Sequence, residues 1–262
     1  MDGARRAAGA ARRAAGVVRA RLGRRRTEHI PVGHVRFGNL RRLTPLSRQY
    51  GFDRGQPVDR YFIEDFLRRH GTAAGYASGV IRGRVLEIGD DLYTRRFGYT
   101  TDGATGITAG EVLNPTPESP KVTIVGDLLT GAGLEDDAFD CIICTQTLHV
   151  LPEPAAAVAT LQRILAPGGV ALVTVAGITQ ACRPDRDLWG DYWRFTTLSA
   201  RRLFEQHFHA EDVHVEAYGN VLTAASMLYG LAAEELRRSE LDARDPDYEV
   251  LIAIRAQKPA AP

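Results

Sequence analysis

Cysteine is scarce in this chain: Cys141, Cys144 and Cys182 are the only three among 262 residues. Three thiols cannot build the disulfide framework that stabilises small secreted domains, and a reducing cytoplasm is the simplest setting. The C-x-x-C spacing of Cys141 and Cys144 lacks the second ligand pair of a zinc site. It lies within Phe139-Asp140-Cys141-Ile142-Ile143-Cys144, an apolar run that reads as a buried strand, where free cysteine packs as a small core residue. No His/Asp/Glu cluster has ligand spacing, so no metal is expected. No segment approaches the roughly 20 apolar residues of a membrane-crossing helix, and the N-terminus lacks the apolar stretch of a secretory signal. Net charge is missing too. With 33 basic and 32 acidic residues the chain carries +1, which gives it no electrostatic reason to seek nucleic acid. Internal repeats are absent.

What is present is an ordinary globular composition, 44% hydrophobic and 25% charged, in a chain long enough for one sizeable core. Nine arginines crowd between Arg5 and Arg26, so the remainder is mildly acidic, as suits a small-molecule enzyme. Residues 1–30 form an Arg/Ala-rich extension. It is either an amphipathic helix that meets anionic lipid or a partner, or a frayed tail without a chemical role. Residues 31–80 form a helical preface or lid, with a helix over Asp59 to Arg69 that places Tyr61, Phe62, Phe66 and Leu67 on one face. Residues 81–258 form the main domain. Apolar runs at Arg84 to Gly89, Ile107 to Val112, Val122 to Val125, Phe139 to Thr145 and Val170 to Val175 predict strands. Helices are predicted over Pro154 to Leu165, stopped by Pro167-Gly168-Gly169, over Leu198 to His207, and over Val221 to Arg237. Val213 to Ala217 and Tyr248 to Ala256 complete the strands. Strands alternating with helices imply an α/β fold, a mostly parallel doubly wound sheet with an antiparallel edge from the last two strands.

In such sheets ligands sit beyond the strand carboxyl ends, where strand order reverses. Glu87 and Gly89 close the first strand, and glycine lets the backbone approach a ligand. Glu111 lies near the end of the second, where a carboxylate suits ribose hydroxyls. Gly126-Asp127-Leu128 closes the third, and Asp127 suits an adenine amino group. Thr145 to His149 follow the fourth. His149 is either a general base or a histidine packed at a helix start. In the preface, Arg54 and Arg60 either clamp a phosphate or carboxylate through their planar forks or pair with Asp53 and Asp59. In Trp189-Gly190-Asp191-Tyr192-Trp193-Arg194-Phe195, aromatic faces beside Asp and Arg suit a sugar, or wedge a loop against the sheet.

Val85-Leu86-Glu87-Ile88-Gly89 resembles the first motif of class I S-adenosylmethionine-dependent methyltransferases. Gly126-Asp127, Phe139-Asp140-Cys141-Ile142-Ile143 and Leu148-His149 resemble their middle motifs. Leu165-Ala166-Pro167-Gly168-Gly169-Val170 resembles their turn before the fifth strand. Order and spacing agree over about residues 80–180. Asp191-Tyr192-Trp193-Arg194-Phe195-Thr196 is similar to a segment of methyltransferases encoded near glycosyltransferases, and Arg36 to Lys258 resembles that bacterial subgroup as a whole.

The resemblance implies a Rossmann-like methyltransferase fold with S-adenosylmethionine held by Glu87, Gly89, Asp90, Glu111, Asp127, Leu128 and Thr145. It implies a small acceptor, a sugar or glycosylated metabolite, met by Arg54, Arg60, Tyr192, Trp193 and Arg194, with His149 or Asp191 facing the reacting atom. Methylation at oxygen is the expected reaction. One departure stands out. The family's first loop continues Gly-x-Gly, whereas this chain reads Gly89-Asp90-Asp91-Leu92-Tyr93. Its two carboxylates either hold the cofactor's amino group or oppose binding, and in the second case the protein is a methyltransferase-like scaffold in a biosynthetic pathway. A nicotinamide-dependent oxidoreductase is disfavoured, since no strand is followed by Gly-x-Gly-x-x-Gly. A homodimer is compatible with the sequence, which does not specify one.

Overall fold

The computed structural model describes residues 30–71, 79–98, 100–101 and 104–261. The chain divides into two units, Met1–Leu43 and Thr44–Pro262. In the first, a 3-10 turn spans Gly38–Leu40, and the Arg41 guanidinium lies 5.4 Å from the centre of the Phe37 ring. The expectations for the Arg/Ala-rich extension fall on residues outside the described ones, apart from Ile30.

In the second unit seven strands pair into one sheet: β1 (Gly83–Ile88), β2 (Ile107–Asn114), β3 (Ile124–Val125), β4 (Phe139–Thr145), β5 (Leu165–Ala176), β6 (Val213–Tyr218) and β7 (Leu251–Gln257). Their spatial order is β3-β2-β1-β4-β5-β7-β6. All run parallel except β7, which pairs antiparallel with both β5 and β6. The last strand thus enters beside β5, and β6 takes the outer edge.

Alternation along the central strands sorts side chains onto two cores. On β4, Ile142 and Cys144 join Leu86, Val173 and Ile254 on one face, under helices α3 (Pro154–Ile164) and α5 (Thr197–Phe204). Cys141 and Ile143 join Val85, Leu172 and Ala253 on the other face, under α1 (Val58–Gly71), α2 (Leu92–Phe97) and α6 (Val221–Tyr229). Both faces being covered explains the near-continuous apolar strands. The cysteines are free, and burial pushes the thiols of Cys141 and Cys144 upward, as for ordinary core residues. Among the described residues no His/Cys/Asp/Glu group is arranged to hold a metal, and no helix is long and apolar enough to cross a membrane.

In α1 the buried stripe is Phe62, Ile63, Phe66, Leu67 and His70. Tyr61 stays half-buried and donates its hydroxyl to Asp242 at 2.6 Å. The helix expected over Val221 to Arg237 stops at Tyr229, because Gly230 adopts φ 70° and closes it with a left-handed cap. Two short pieces follow, a 3-10 turn at Ala233–Glu235 and α7 (Arg238–Leu241). The fifth strand starts five residues earlier than Val170, at Leu165, through a register shift opposite Phe139 and Cys141.

Candidate active site

The chain runs from β1 outward to β2 and β3, then returns across β1 to β4. The reversal separates the carboxyl ends of β1 and β4, and such a switch point is where a doubly wound sheet offers a crevice. A cleft of about 710 Å3 opens there. Its floor includes Glu87 and Ile88 from β1, Thr145 and Gln146 from β4, and Ala176 from β5. Its walls come from the Tyr50–Arg60 segment, from Tyr93, and from the stretch between Thr179 and Arg194, which carries the short helix α4 (Arg183–Leu188).

Where a second glycine would stand, Asp91 takes φ −113°, a backbone that does not call for glycine. Gly89 takes φ 85°, and a Cβ there would meet no atom within 4 Å, so conformation rather than crowding calls for glycine. Three residues later the chain enters α2. Glu87 is buried, and its carboxylate accepts the N–H groups of Tyr93 (3.0 Å) and Thr94 (2.7 Å), two otherwise unpaired donors of the first helical turn. Burial pushes the Glu87 carboxyl upward, opposed by these hydrogen bonds. Asp90 and Asp91 both meet Lys121, at 2.6 and 2.9 Å. The Lys121 ammonium holds the Asp90 carboxyl below its usual range, and the loop carries no naked pair of charges.

His149 lies in a 3-10 turn, Leu148–Val150, just past β4, and it lines the cleft. It is buried, and its Nδ1 has no partner among the described residues. Desolvation, then the nearby Arg194 guanidinium, push its pKa down to about 4, with Asp191 and Asp185 opposing. The imidazole is therefore neutral near pH 7, able to accept a proton. Its backbone carbonyl accepts the N–H groups of Tyr192 (2.9 Å) and Trp193 (3.1 Å), which ties the 191–195 segment to β4.

Several expected site residues stand elsewhere or are already engaged. Asp191 lines the cleft, but its side chain is only 2% exposed and its oxygens accept both Arg194 arms, at 2.5 and 2.8 Å, and the Cys182 N–H at 2.9 Å. The Arg194 guanidinium holds the Asp191 carboxyl low, so Asp191 is an anchor, not a base. Arg194 also donates to the Gln180 carbonyl (2.8 Å) and fixes the cleft wall. Arg54 is drawn off by Glu235, donating through Nε at 3.0 Å and through its terminal nitrogen. Glu111 lies three residues short of the end of β2, occupied by Asn114, and it accepts Arg84 at 3.2 Å outside the cleft. Asp127 turns back on its own loop, accepting Leu129 N–H (2.8 Å) and the Thr130 hydroxyl (3.1 Å), while Leu128 packs into the core. Tyr192 and Trp193 are 55% and 44% exposed and lie outside the cleft lining; the Trp193 indole N–H donates to the Leu151 carbonyl (3.0 Å), as a wedge would.

Glu87, Asp90, Thr145, His149, Arg60, Asp191 and Arg194 are thus brought together around the cleft. Arg60 has no carboxylate within ion-pair distance among the described residues; its guanidinium meets the Tyr93 hydroxyl and lies 5.9 Å from the Phe52 ring centre. Sequence reasoning missed Lys121, one of only two lysines in the chain, which pairs with Asp90 and Asp91, and it missed Tyr50, Gln146 and Asp185, which line the cleft. The scarcity of lysine was a usable signal for the first; nothing local marks the others.

The lining fits a cationic cofactor. Three lining carboxylates are paired, Glu64 with Arg96, Asp90 with Lys121 and Asp191 with Arg194, which leaves Asp59, Glu87 and Asp185, without an ion pair among the described residues, as the groups that favour a cationic ligand. The volume is that of an ordinary small-molecule site.

Residues 105–173, from the approach to β2 through most of β5, match the sequence model of a methyltransferase domain. No curated protein sequence matches the chain. Among solved structures it is similar to the N-methyltransferase NodS of Bradyrhizobium japonicum in complex with S-adenosylhomocysteine, at 16% identity over 82% of this chain and 95% of that one, with a TM-score of 0.47. It is similar to a SAM-dependent methyltransferase from Archaeoglobus fulgidus, at 16% identity over 76% and 94%, TM-score 0.47. It is also similar to an S-adenosylmethionine-dependent methyltransferase from Mesorhizobium loti, at 14% identity over 79% and 100%, TM-score 0.47. The chain thus carries a segment that matches a methyltransferase domain, set in a seven-stranded Rossmann-like sheet.

Proposed function

We propose that the protein methylates a hydroxyl of a saccharide or another small hydroxylated metabolite. The observation that carries this reading is His149: a neutral imidazole with an unpaired Nδ1, set in the cleft just past β4. Gly89, Asp90 and Thr145 hold the cofactor at the strand ends, and Glu87 keeps the loop and α2 in register for it. When bound, S-adenosylmethionine supplies an electrophilic methyl group. His149 takes the proton that the acceptor hydroxyl loses as its oxygen becomes an ether. An imidazole kept unprotonated is free to accept that proton, and its lowered pKa makes it a weaker base than a free histidine. Arg60, with no carboxylate within ion-pair distance among the described residues, orients a polar or anionic group of the acceptor, and the Asp191–Arg194 pair holds the wall against which the acceptor lies.

The test is transfer of label from methyl-labelled S-adenosylmethionine to a panel of monosaccharides, sugar acids and glycosides. The reading predicts label in an ether, stable to mild base, on at least one hydroxylated acceptor. Label appearing only on amines or thiols contradicts it.

A further inference from the structure

Three described non-glycine residues take a left-handed backbone: Tyr50 (φ 56°), Asp137 (φ 54°) and Gln146 (φ 51°). Side chains at such positions are held against a steric cost, and strain of this kind gathers where a site needs a group in a particular place. Asp137 is accounted for by its turn. Aspartate tolerates this conformation, and here its N–H donates to the Arg163 carbonyl (3.1 Å) while its carboxylate accepts Lys258 (2.6 Å). Tyr50 is accounted for by the lid, where its hydroxyl meets Cys182 and Gln180.

Gln146 has no such account. Its backbone is pinned: its N–H donates to the Thr174 carbonyl at 2.9 Å, and the Thr147 hydroxyl donates to the preceding carbonyl, of Thr145, at 3.1 Å. Glycine would fit this conformation without strain, yet a glutamine stands here. Its side chain lines the cleft at the end of β4, three residues before His149, and its carboxamide makes no hydrogen bond with any described residue. A carboxamide offers two N–H donors and one carbonyl acceptor in a plane. That is the complement of two adjacent hydroxyls, one donating and one accepting.

We propose that Gln146 is a positioning residue for the acceptor: its strained backbone presents an unpaired carboxamide that grips a vicinal diol and so aims one hydroxyl at the reacting methyl. The proposal rests on the hydroxyl-methylation reading, since a diol is what the carboxamide would hold. It requires that the side chain serve neither the fold nor the cofactor.

Gln146→Gly, Gln146→Ala and Gln146→Asn are compared with the unaltered full chain in thermal unfolding and in S-adenosylhomocysteine titration. Glycine at this position relieves the strain that alanine retains, so the glycine variant is expected to melt about 1–3 °C above the alanine variant, after its greater chain entropy is discounted. S-adenosylhomocysteine affinity is expected to stay within about threefold in all three, since the carboxamide is assigned no part in cofactor binding. With a labelled acceptor from the panel above, kcat/KM falls at least about tenfold in the glycine and alanine variants and is partly restored by asparagine, which keeps the carboxamide. A glycine variant that melts below alanine removes the strained backbone, an alanine variant that melts more than about 4 °C below the unaltered chain assigns the side chain to the fold, and either result overturns the proposal. Tenfold weaker S-adenosylhomocysteine binding assigns it to the cofactor and also overturns it. If the unaltered chain labels no hydroxylated acceptor, the reading under Proposed function fails on its own, and unfolding and titration still decide whether Gln146 serves fold or cofactor.

Discussion

Replacement of His149 by alanine is expected to slow methyl transfer about 100- to 10,000-fold, the span typical of losing a positioned general base. Cofactor affinity should change by no more than about twofold, because the base acts only on the acceptor's proton. The pH profile sharpens the test. A free histidine titrates near pH 6.5. Here desolvation and Arg194 push His149 down to about 4. The acid limb of kcat/KM is therefore expected near pH 4 to 5, and a limb near 6.5 would contradict the placement of this imidazole. The same shift has a consequence for stability. The folded state holds His149 neutral, while the unfolded chain binds a proton below about pH 6.5. Stability is thus fully present above pH 6.5 and is lost as pH falls towards 4, by about 3 kcal/mol for this residue. His70, also pushed down to about 4 by burial, adds a loss of the same sign. Chemical denaturation at pH 7.5 and pH 5, with and without His149→Ala, reads it directly: the variant should lose less stability between the two.

Asp191→Ala is expected to be the most destabilising change at the cleft rim, at about 2–3 kcal/mol, near the lower end for breaking a buried ion pair. Three bonds go at once: both arms of Arg194, and the Cys182 N–H that Asp191 accepts at 2.9 Å. The loss stays below the upper end of the range because the Arg194 side chain, 31% exposed, can rehydrate. For a unit of this size the melting point falls by about 4–12 °C. Because the carboxyl is held low in the folded state, its contribution is present above the unfolded value and vanishes as pH falls through the folded one. Asp191→Asn, which can still accept one arm of the guanidinium, should fall between alanine and the native residue. Asp191 acts as an anchor, so its asparagine variant keeps most of its turnover. A loss as large as that of His149→Ala would restore Asp191 as a base.

The backbone of this fold was far more legible than the pairing of its side chains. Phe139 to Thr145 reads as a strand and is one, because the apolar run Cys141 to Cys144 is short and buried on both faces of a covered sheet. Local patterning also locates Gly83–Ile88 to within a residue. It errs at Gly230, which cuts a helix that composition alone would carry to Arg237, and at Leu165, where a register shift starts the fifth strand early. The cleft lining was legible at the strand ends, where Glu87, Thr145 and His149 stand. It was not where a charge chooses its partner across the fold. Arg54 lies 181 residues from Glu235, and Glu111 lies 27 residues from Arg84; neither distance leaves a mark in sequence. Gln146 was hidden for another reason, since a left-handed glutamine has no residue-type signature.

The central claim is that the cleft over β1 and β4 holds S-adenosylmethionine although its first loop lacks Gly-x-Gly. Isothermal titration of the purified chain with S-adenosylmethionine and S-adenosylhomocysteine tests it most directly, with NAD as control and Thr145→Trp to fill the floor of the cleft. Micromolar binding of the sulfur ligands, absent for NAD and lost in a folded Thr145→Trp variant, is the predicted result. Undetectable binding at millimolar ligand, or binding that survives Thr145→Trp unchanged, would contradict it.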